Sequence, residues 1–158
     1  MRKIKKIILH CSDSEWGTVK DIEKWHLERG WKGCGYHFVI CNGYPTYKSY
    51  KNKKRNPDMN GRVQMGRLLE TIGAHCVGDN RDSIGICLIG VKKFTETQMA
   101  SLMRLIYKML LDYKIGLQIF GHYEMESGIK QGKTCPNLDM DEVRLKFIDQ
   151  LMSVLPSL

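Results

Sequence analysis

The stretch "DSIGICLIG", residues 82–90, decides the fold, because it is the clearest core strand of the sequence. It is a continuous apolar run bounded by polar and glycine-rich turns, which is typical of a strand whose two faces are both covered. We interpret Cys87 within it as a core residue. A sheet of such strands needs helices packed on it, so the stretch indicates an α/β architecture.

Strands and helices alternate along the rest of the chain. Short apolar or alternating runs predict further strands at residues 3–9, 36–40, 61–67 and 117–120. Capping residues followed by apolar residues at helical spacing predict helices from Thr18 to Gly30, from Thr95, and from near Asp139. The stretch from His122 to Pro136 is predicted to be a loop. We therefore expect a central mixed sheet flanked by helices.

The helical patterns also predict which residues are buried. Two helices carry apolar stripes that we interpret as core. The first stripe comprises Met99, Leu102, Met103, Ile106, Met109, Leu110 and Tyr113, and the second comprises Val143, Phe147, Ile148, Leu151 and Leu155. In the helix after Thr18, Val19, Ile22, Trp25 and Arg29 share one side, and His26 is predicted to lie on the surface.

Chain length and cysteine usage indicate the setting. The 158 residues suit one domain, residues 1–158. No window reaches the roughly 18 apolar residues of a membrane span, and the N-terminal apolar stretch "IIL" is too short for a signal peptide. We therefore expect synthesis in the cytoplasm and reduced thiols for the six cysteines. Pairing of Cys34 with Cys41, which bracket a strand, stays open.

The formal net charge of +8 favours anionic partners, namely nucleic acid, a membrane surface or an acidic wall polymer. The charge does not choose between them. Much of the excess lies in "YKSYKNKKRN", residues 47–56, within an apparent basic insert at about 44–60. This stretch is either a solvated loop or a loop that contacts a polyanion.

The first predicted strand ends at a histidine and a cysteine in "IKKIILHCSDS", residues 4–14. Both residue types are good metal ligands. Side chains alternate between the two faces of a strand, so His10 and Cys11 are predicted to point in opposite directions. At most one of them is expected to serve a given site.

Two further residues offer to complete a site with His10. His122 follows the strand "LQIF" by one glycine, and Cys135 lies in the Gly- and Pro-marked loop "GKTCPNLD". Two histidines and a cysteine fill three tetrahedral positions around zinc and leave one for water, as in catalytic sites. Their spacing matches no compact motif, so a zinc site and ordinary structural roles both stay open on these grounds.

Six segments together carry a resemblance that spans residues 4–150. They are "ILHCSDS", "GYHFVICNG", "GRVQMGR", "GAHCVGDNRDSIGICLIG", "GHYEM" and "GKTCPNLD". With them the chain resembles the zinc-dependent N-acetylmuramoyl-L-alanine amidases of the phage T7 lysozyme type, a family that includes the peptidoglycan-recognition proteins. The resemblance implies their fold and their single amidase domain.

The resemblance implies roles for individual residues. The family's zinc ligands fall on His10, His122 and Cys135, and its site tyrosine falls on Tyr36. Its lysine, two residues before the last ligand, falls on Lys133, where it would stabilise the oxyanion of a tetrahedral intermediate. His75 is marked as a groove residue that touches substrate.

The implied reaction is hydrolysis of the amide between the lactyl group of N-acetylmuramic acid and L-alanine, with peptidoglycan or muropeptides as substrate. A phage or prophage endolysin acting on the wall after release, or an enzyme acting on cytoplasmic muropeptides, would both fit. The resemblance favours a monomer and makes a nucleic-acid partner unexpected. The alternative is a non-catalytic peptidoglycan-binding or regulatory module that uses the same groove.

Two stretches depart from the family pattern. The insert at 44–60 replaces a tighter turn, and "ESGIKQG" lengthens the loop between His122 and Cys135. The second departure leaves the position of Lys133 less well defined than the positions of the ligands.

Overall fold

A computed structural model describes residues 2–113 and 118–154, and within these ranges five strands form one sheet. The strands are β1 (Lys6–Cys11), β2 (Phe38–Asn42), β3 (Asn60–Met65), β4 (Ser83–Leu88) and β5 (Ile119–Gly121). Their order across the sheet is β3-β2-β4-β1-β5. The stretch "DSIGICLIG" thus supplies the middle strand, and Cys87 within it is fully buried.

The sheet is mixed, as the sequence predicts. Strands β2, β4, β1 and β5 run parallel to one another, and β3 pairs antiparallel with β2. In the register of β1 with β4, Ile8 lies opposite Gly85 and His10 lies opposite Cys87. Because β1 and β5 are parallel neighbours, the residues that follow them leave the sheet at the same edge.

Helices cover both faces of the sheet. The described helices are α1 (Val19–Glu28), α2 (Tyr47–Lys51), α3 (Glu96–Tyr113), α4 (Glu126–Lys130) and α5 (Met140–Val154). Helices α3 and α5 bury Leu102, Ile106 and Phe147 against one face, which confirms most of both predicted stripes. Helix α1 buries Ile22 against Val39 and Cys87 on the other face. None of the helices in the described part of the chain has the length and hydropathy to cross a membrane.

The predicted stripes are wrong or untested at three positions. Ile148 in α5 is 47% exposed, because Val143 and Phe147 already occupy the side of the helix that faces the sheet. Leu155 and the side chain of Tyr113 lie outside the described residues, as does Leu117 of the predicted strand 117–120.

The basic insert is folded and does not form an open loop. Helix α2 and a 3-10 turn at Pro57–Met59 lie within it. The N–H of Asn56 donates to the carbonyl of Gly43 at 2.8 Å, which closes the insert at its base. The guanidinium of Arg55 lies 4.7 Å from the ring centre of Tyr44, and the ring of Tyr47 lies 6.0 Å from that of Trp16.

The stretch from His122 to Pro136 was predicted as a loop, and this prediction is wrong in part. It contains a 3-10 turn, His122–Glu124, and the one-and-a-half-turn helix α4. Gly128 in α4 permits this arrangement, because a Cβ there would lie 1.9 Å from the carbonyl oxygen of His122. The helix therefore lies directly against the backbone of the residue that leaves β5.

Candidate metal centre

Three candidate ligands from distant parts of the sequence meet at one edge of the sheet. One ligand atom from each of His10, His122 and Cys135 lies within 4.8 Å of the others. His10 comes from β1, and His122 follows β5 directly. The carbonyl of Cys135 accepts the N–H of Tyr123 at 2.9 Å, which fastens the cysteine loop beside His122.

The three side chains approach each other as ligands of one ion would. Sγ of Cys135 lies 3.8 Å from Nδ1 of His10, and the ring centres of His10 and His122 are 4.7 Å apart. His10 is 1% exposed, whereas His122 and Cys135 are half-buried. They lie in a cleft of about 850 Å³ that opens to solvent.

Burial keeps both candidate histidine ligands neutral. It lowers the pKa of His10 well below its usual range, and the nearby His75 and His122 lower it further. Burial also lowers the pKa of His122, with a further contribution from the ammonium of Lys133. A neutral imidazole keeps a lone pair for a metal, which an imidazolium lacks.

This donor set suits zinc. Two imidazoles and one thiolate match the ligands of catalytic zinc sites, in which a fourth position is left for water or substrate. The half-exposed side of the cluster, at His122 and Cys135, faces the cleft, where such a position is accessible.

Of the two adjacent residues His10 and Cys11, only His10 belongs to the ligand group, as strand alternation predicted. Cys11 nevertheless lies beside Cys135, because Cys135 lies over the end of β1 and contacts both residues. The N–H of Cys11 donates to Sγ of Cys135 at 3.2 Å. The hydrogen bond shared by the two thiols lowers the pKa of Cys11 to about 7 and raises the pKa of Cys135. Cys11 therefore adjoins the cluster, although its thiol is outside the group of three ligand atoms.

Tyr36 and Lys133 lie at the same cleft as the cluster. The ring centre of Tyr36 is 5.0 Å from that of His10. Burial raises the pKa of the Tyr36 phenol well above its usual range, so the hydroxyl keeps its proton. Lys133 is exposed and acts on His122 through its charge, and its N–H donates to the carbonyl of Gly128 at 2.9 Å. The longer loop thus still places this lysine near the cluster.

His75, the predicted substrate-contact residue, lies in the wall of the cleft and is largely buried. It borders the cleft but is 7% exposed. Its Nδ1 lies 3.1 Å from Nε2 of His10. Burial lowers the pKa of His75 to about 3.

His26 is a cleft residue that the sequence analysis missed. It was predicted to lie on the surface but is 4% exposed, and its Nδ1 accepts the N–H of Gly35 at 2.9 Å. Its ring lies 4.4 Å from that of Trp31 and 5.4 Å from that of Tyr36. The signal was available, because His26 follows the buried Ile22 by one helical turn.

The other histidine and cysteine candidates have structural partners. His37 is fully buried and its Nδ1 accepts the N–H of Gly85 at 3.0 Å, so it is a core histidine with a hydrogen-bond partner. The thiols of Cys34 and Cys41 face Tyr36 and Gln64 respectively and are not paired with each other. Sγ of Cys76 lies 3.2 Å from Oγ of Ser127, away from the metal cluster.

Comparison with known proteins agrees with this geometry. Residues 1–138 match the family described as N-acetylmuramoyl-L-alanine amidase. The endolysin of Escherichia phage T7 is 34% identical over 145 residues, covering 85% of this chain and 81% of that protein. The endolysin of Enterobacteria phage T3 is 33% identical over the same shares of the two chains.

Solved structures share the fold over most of the chain. The N-acetylmuramoyl-L-alanine amidase LysC from Clostridium intestinale superposes with a TM-score of 0.71 at 25% identity, covering 92% of this chain and 85% of that one. A mutant of Drosophila PGRP-LB in complex with tracheal cytotoxin gives a TM-score of 0.65 at 23% identity, covering 86% and 76%. The resemblance seen in the sequence is therefore confirmed, and the chain belongs to the N-acetylmuramoyl-L-alanine amidase family.

Proposed function

We propose that this amidase cleaves the bond between the lactyl group of N-acetylmuramic acid and L-alanine with a zinc ion held by His10, His122 and Cys135. The observation that carries the metal assignment is the convergence of these three side chains, from β1, the end of β5 and a distant loop, within 4.8 Å. Ordinary packing does not require two neutral imidazoles and a thiol to face one another at the floor of a cleft.

The bound zinc would supply a Lewis acid and lower the pKa of a water molecule to about 7. The protein prepares its ligands for that ion. Burial keeps His10 and His122 neutral, and the N–H of Cys11 points at Sγ of Cys135, where it would stabilise the thiolate form.

Tyr36 and Lys133 are proposed to stabilise the charge that develops on the amide oxygen. The phenol of Tyr36 keeps its proton and can donate it in a hydrogen bond, and its ring lies beside His10. The ammonium of Lys133 provides a positive charge next to His122. Donors and cations placed where negative charge develops stabilise a transition state more than the ground state.

Peptidoglycan and its fragments are the proposed substrates. The curated relatives are phage endolysins, and one structural neighbour was solved with tracheal cytotoxin bound. The cleft of about 850 Å³ has room for a muropeptide segment. We propose action on the cell wall from outside the cytoplasm after release, as the endolysin relatives suggest, with soluble muropeptides as the alternative substrate.

The proposal is tested by metal content and by product analysis. Purified protein is expected to contain about one zinc per chain, and a chelator should abolish amide hydrolysis that added zinc restores. Mass spectrometry should find peptides with a free N-terminal L-alanine and glycan with intact lactyl groups. Hydrolysis that survives complete zinc removal would overturn the metal assignment, and binding of muropeptide without any cleavage would instead support a recognition module.

A further inference from the structure

A line of hydrogen bonds runs from the metal ligand His10 into the interior of the protein. Nε2 of His10 lies 3.1 Å from Nδ1 of His75. Nε2 of His75 lies 3.4 Å from Oγ of Ser83, and the Ser83 hydroxyl donates to the carbonyl of Asp79 at 2.6 Å. His10, His75 and Ser83 are each at most 7% exposed, so water does not compete for these contacts.

The donor and the acceptor in each of these hydrogen bonds can be assigned by starting from the bond between Ser83 and Asp79. A carbonyl oxygen can only accept, so the single proton of the Ser83 hydroxyl is committed to Asp79. Oγ of Ser83 must then accept from Nε2 of His75, which leaves Nδ1 of that neutral ring as an acceptor. His10 therefore donates through Nε2 and keeps its lone pair on Nδ1, the nitrogen that faces Cys135.

Two glycines make room for the ring of His75. A Cβ at Gly73 or at Gly85 would lie 2.5 Å from Cδ2 of that ring, closer than non-bonded atoms approach. Gly85 is in the middle of β4, so the central strand itself is shaped to admit the imidazole. The backbone at His75 is also fixed in place, because the main-chain N–H groups of His75 and Cys76 donate to Oδ1 of Asn80 at 2.8 and 2.9 Å.

We propose that His75 is a positioning residue, which fixes the orientation and the tautomer of the zinc ligand His10. Gly73, Ser83 and Gly85 contact or make room for this side chain, and Asn80 holds its main chain, which explains why these residue types occur together in the segment 73–85. The substrate contact that the resemblance implies for His75 stays a prediction. The inference rests on one part of the proposed function, which is that His10 binds zinc.

Zinc affinity provides the first test. Metal-free wild type and variants are titrated with zinc in competition with a chromophoric chelator. His75→Ala should weaken zinc binding about 10- to 100-fold, the usual effect of removing a partner of a ligand histidine. His75→Asn should regain most of the affinity, because its amide oxygen can take the place of Nδ1 as acceptor. Cys76→Ser is the matched control and should bind zinc as wild type does, since its thiol faces Ser127.

The tautomer of His10 in the metal-free protein provides a second test, which needs no zinc. Long-range ¹H–¹⁵N spectra of the imidazole rings at pH 8 should show His10 protonated on Nε2 in the wild type and in His75→Asn. In His75→Ala, which lacks the acceptor for Nε2 of His10, we expect a mixture of the two His10 tautomers. If wild-type His10 carries its proton on Nδ1, the inference is wrong whatever the affinities are.

The two tests separate this inference from the function on which it rests. A wild type that binds no zinc would overturn the proposed metal site, and the tautomer spectra would still decide the role of His75. A wild type that binds zinc no more tightly than His75→Ala would overturn the positioning role alone. Near-UV circular dichroism identifies unfolded variants, and if His75→Ala is one, Ser83→Ala takes its place and should give mixed His75 tautomers.

Discussion

Sγ of Cys135 lies 3.8 Å from Nδ1 of His10, although 125 positions separate the two residues in the sequence. Strand β1 carries the histidine to the edge of the sheet, and the loop that holds the cysteine is fastened there through Tyr123. The contact depends on the pairing of β1 with β5. Metal binding and folding of this edge of the sheet are therefore expected to stabilise each other.

The first prediction separates the adjacent residues His10 and Cys11. His10→Ala should lose bound zinc and amidase activity, because it removes one of three protein ligands. Cys11→Ser should keep about one zinc per chain, since the thiol of Cys11 is not among those ligands and its N–H remains. Metal analysis by mass spectrometry after gel filtration measures both. Loss of zinc from Cys11→Ser alone would reverse the assignment.

The second prediction concerns the phenol of Tyr36. Tyr36→Phe should lower kcat on a muropeptide substrate about 10²- to 10³-fold, as removal of an oxyanion donor does. Its zinc content should equal that of wild type, because His10, His122 and Cys135 supply the protein ligands. The rate and the metal content are measured on the same preparation. An unchanged kcat would show that Tyr36 only lines the cleft.

The third prediction concerns the charge of Lys133. Lys133→Ala should lower kcat at least about 10-fold, because the variant lacks the cation next to His122. Lys130→Ala is a matched control, since that lysine is also exposed on the same segment but pairs with Glu126. Steady-state kinetics of the two variants should therefore differ. Equal rates would place the stabilising cation elsewhere.

The fourth prediction is a loss of stability in mild acid. Burial lowers the pKa of His26 and of His37 to about 4, below the unperturbed value of 6.5. Between these values the unfolded chain binds protons that the folded chain does not, so the free energy of unfolding decreases as the pH falls. Each buried histidine contributes up to about 1.4 kcal/mol per pH unit. Urea unfolding of metal-free protein from pH 7.5 to 4.5 measures the slope, which His26→Gln should reduce.

The fifth prediction concerns the basic insert. Lys48 and Lys54 are exposed there, in a stretch from Tyr47 to Asn56 that has no acidic residue. Lys48→Gln with Lys54→Gln should reduce sedimentation with purified sacculi at low salt, because the attraction to an anionic wall falls. Hydrolysis of a soluble muropeptide should not change. The double variant Lys92→Gln with Lys93→Gln removes the same charge elsewhere and is the control, so equal sedimentation of the two would contradict a role for the insert.

The sequence predicted the sheet and the long helices because each has enough residues to show a period. The stretch "DSIGICLIG" and the stripe through Leu102, Ile106 and Met109 are examples. Helix α4 could not be found in this way, because five residues do not establish helical spacing. Its place depends on Gly128 lying against the backbone of His122, which is a tertiary contact.

The site was predictable only in part from the residues themselves. The alternation of side chains along β1 predicted that Cys11 lies on the face opposite His10. It gave no information about the loop of Cys135, which passes over the end of β1 and contacts Cys11. The ends of two strands and a cysteine in a polar loop suggested the group of His10, His122 and Cys135, but its spacing matched no motif, and the family resemblance was needed to choose the zinc site over ordinary structural roles. The contact of His75 with His10 could not be predicted, because it depends on two glycines that leave room for the imidazole ring.

The hydrogen bond from Asn56 to Gly43 brings the two ends of the insert together beside the antiparallel strands β2 and β3. Strands β2 and β3 are registered by their own ladder, and the intervening stretch adds no strand to it. Exchange of this stretch for a short turn should therefore leave the register of β2 and β3 unchanged. If the fifth prediction holds, such an exchange would change attachment to the cell wall and leave hydrolysis of soluble muropeptides as it is.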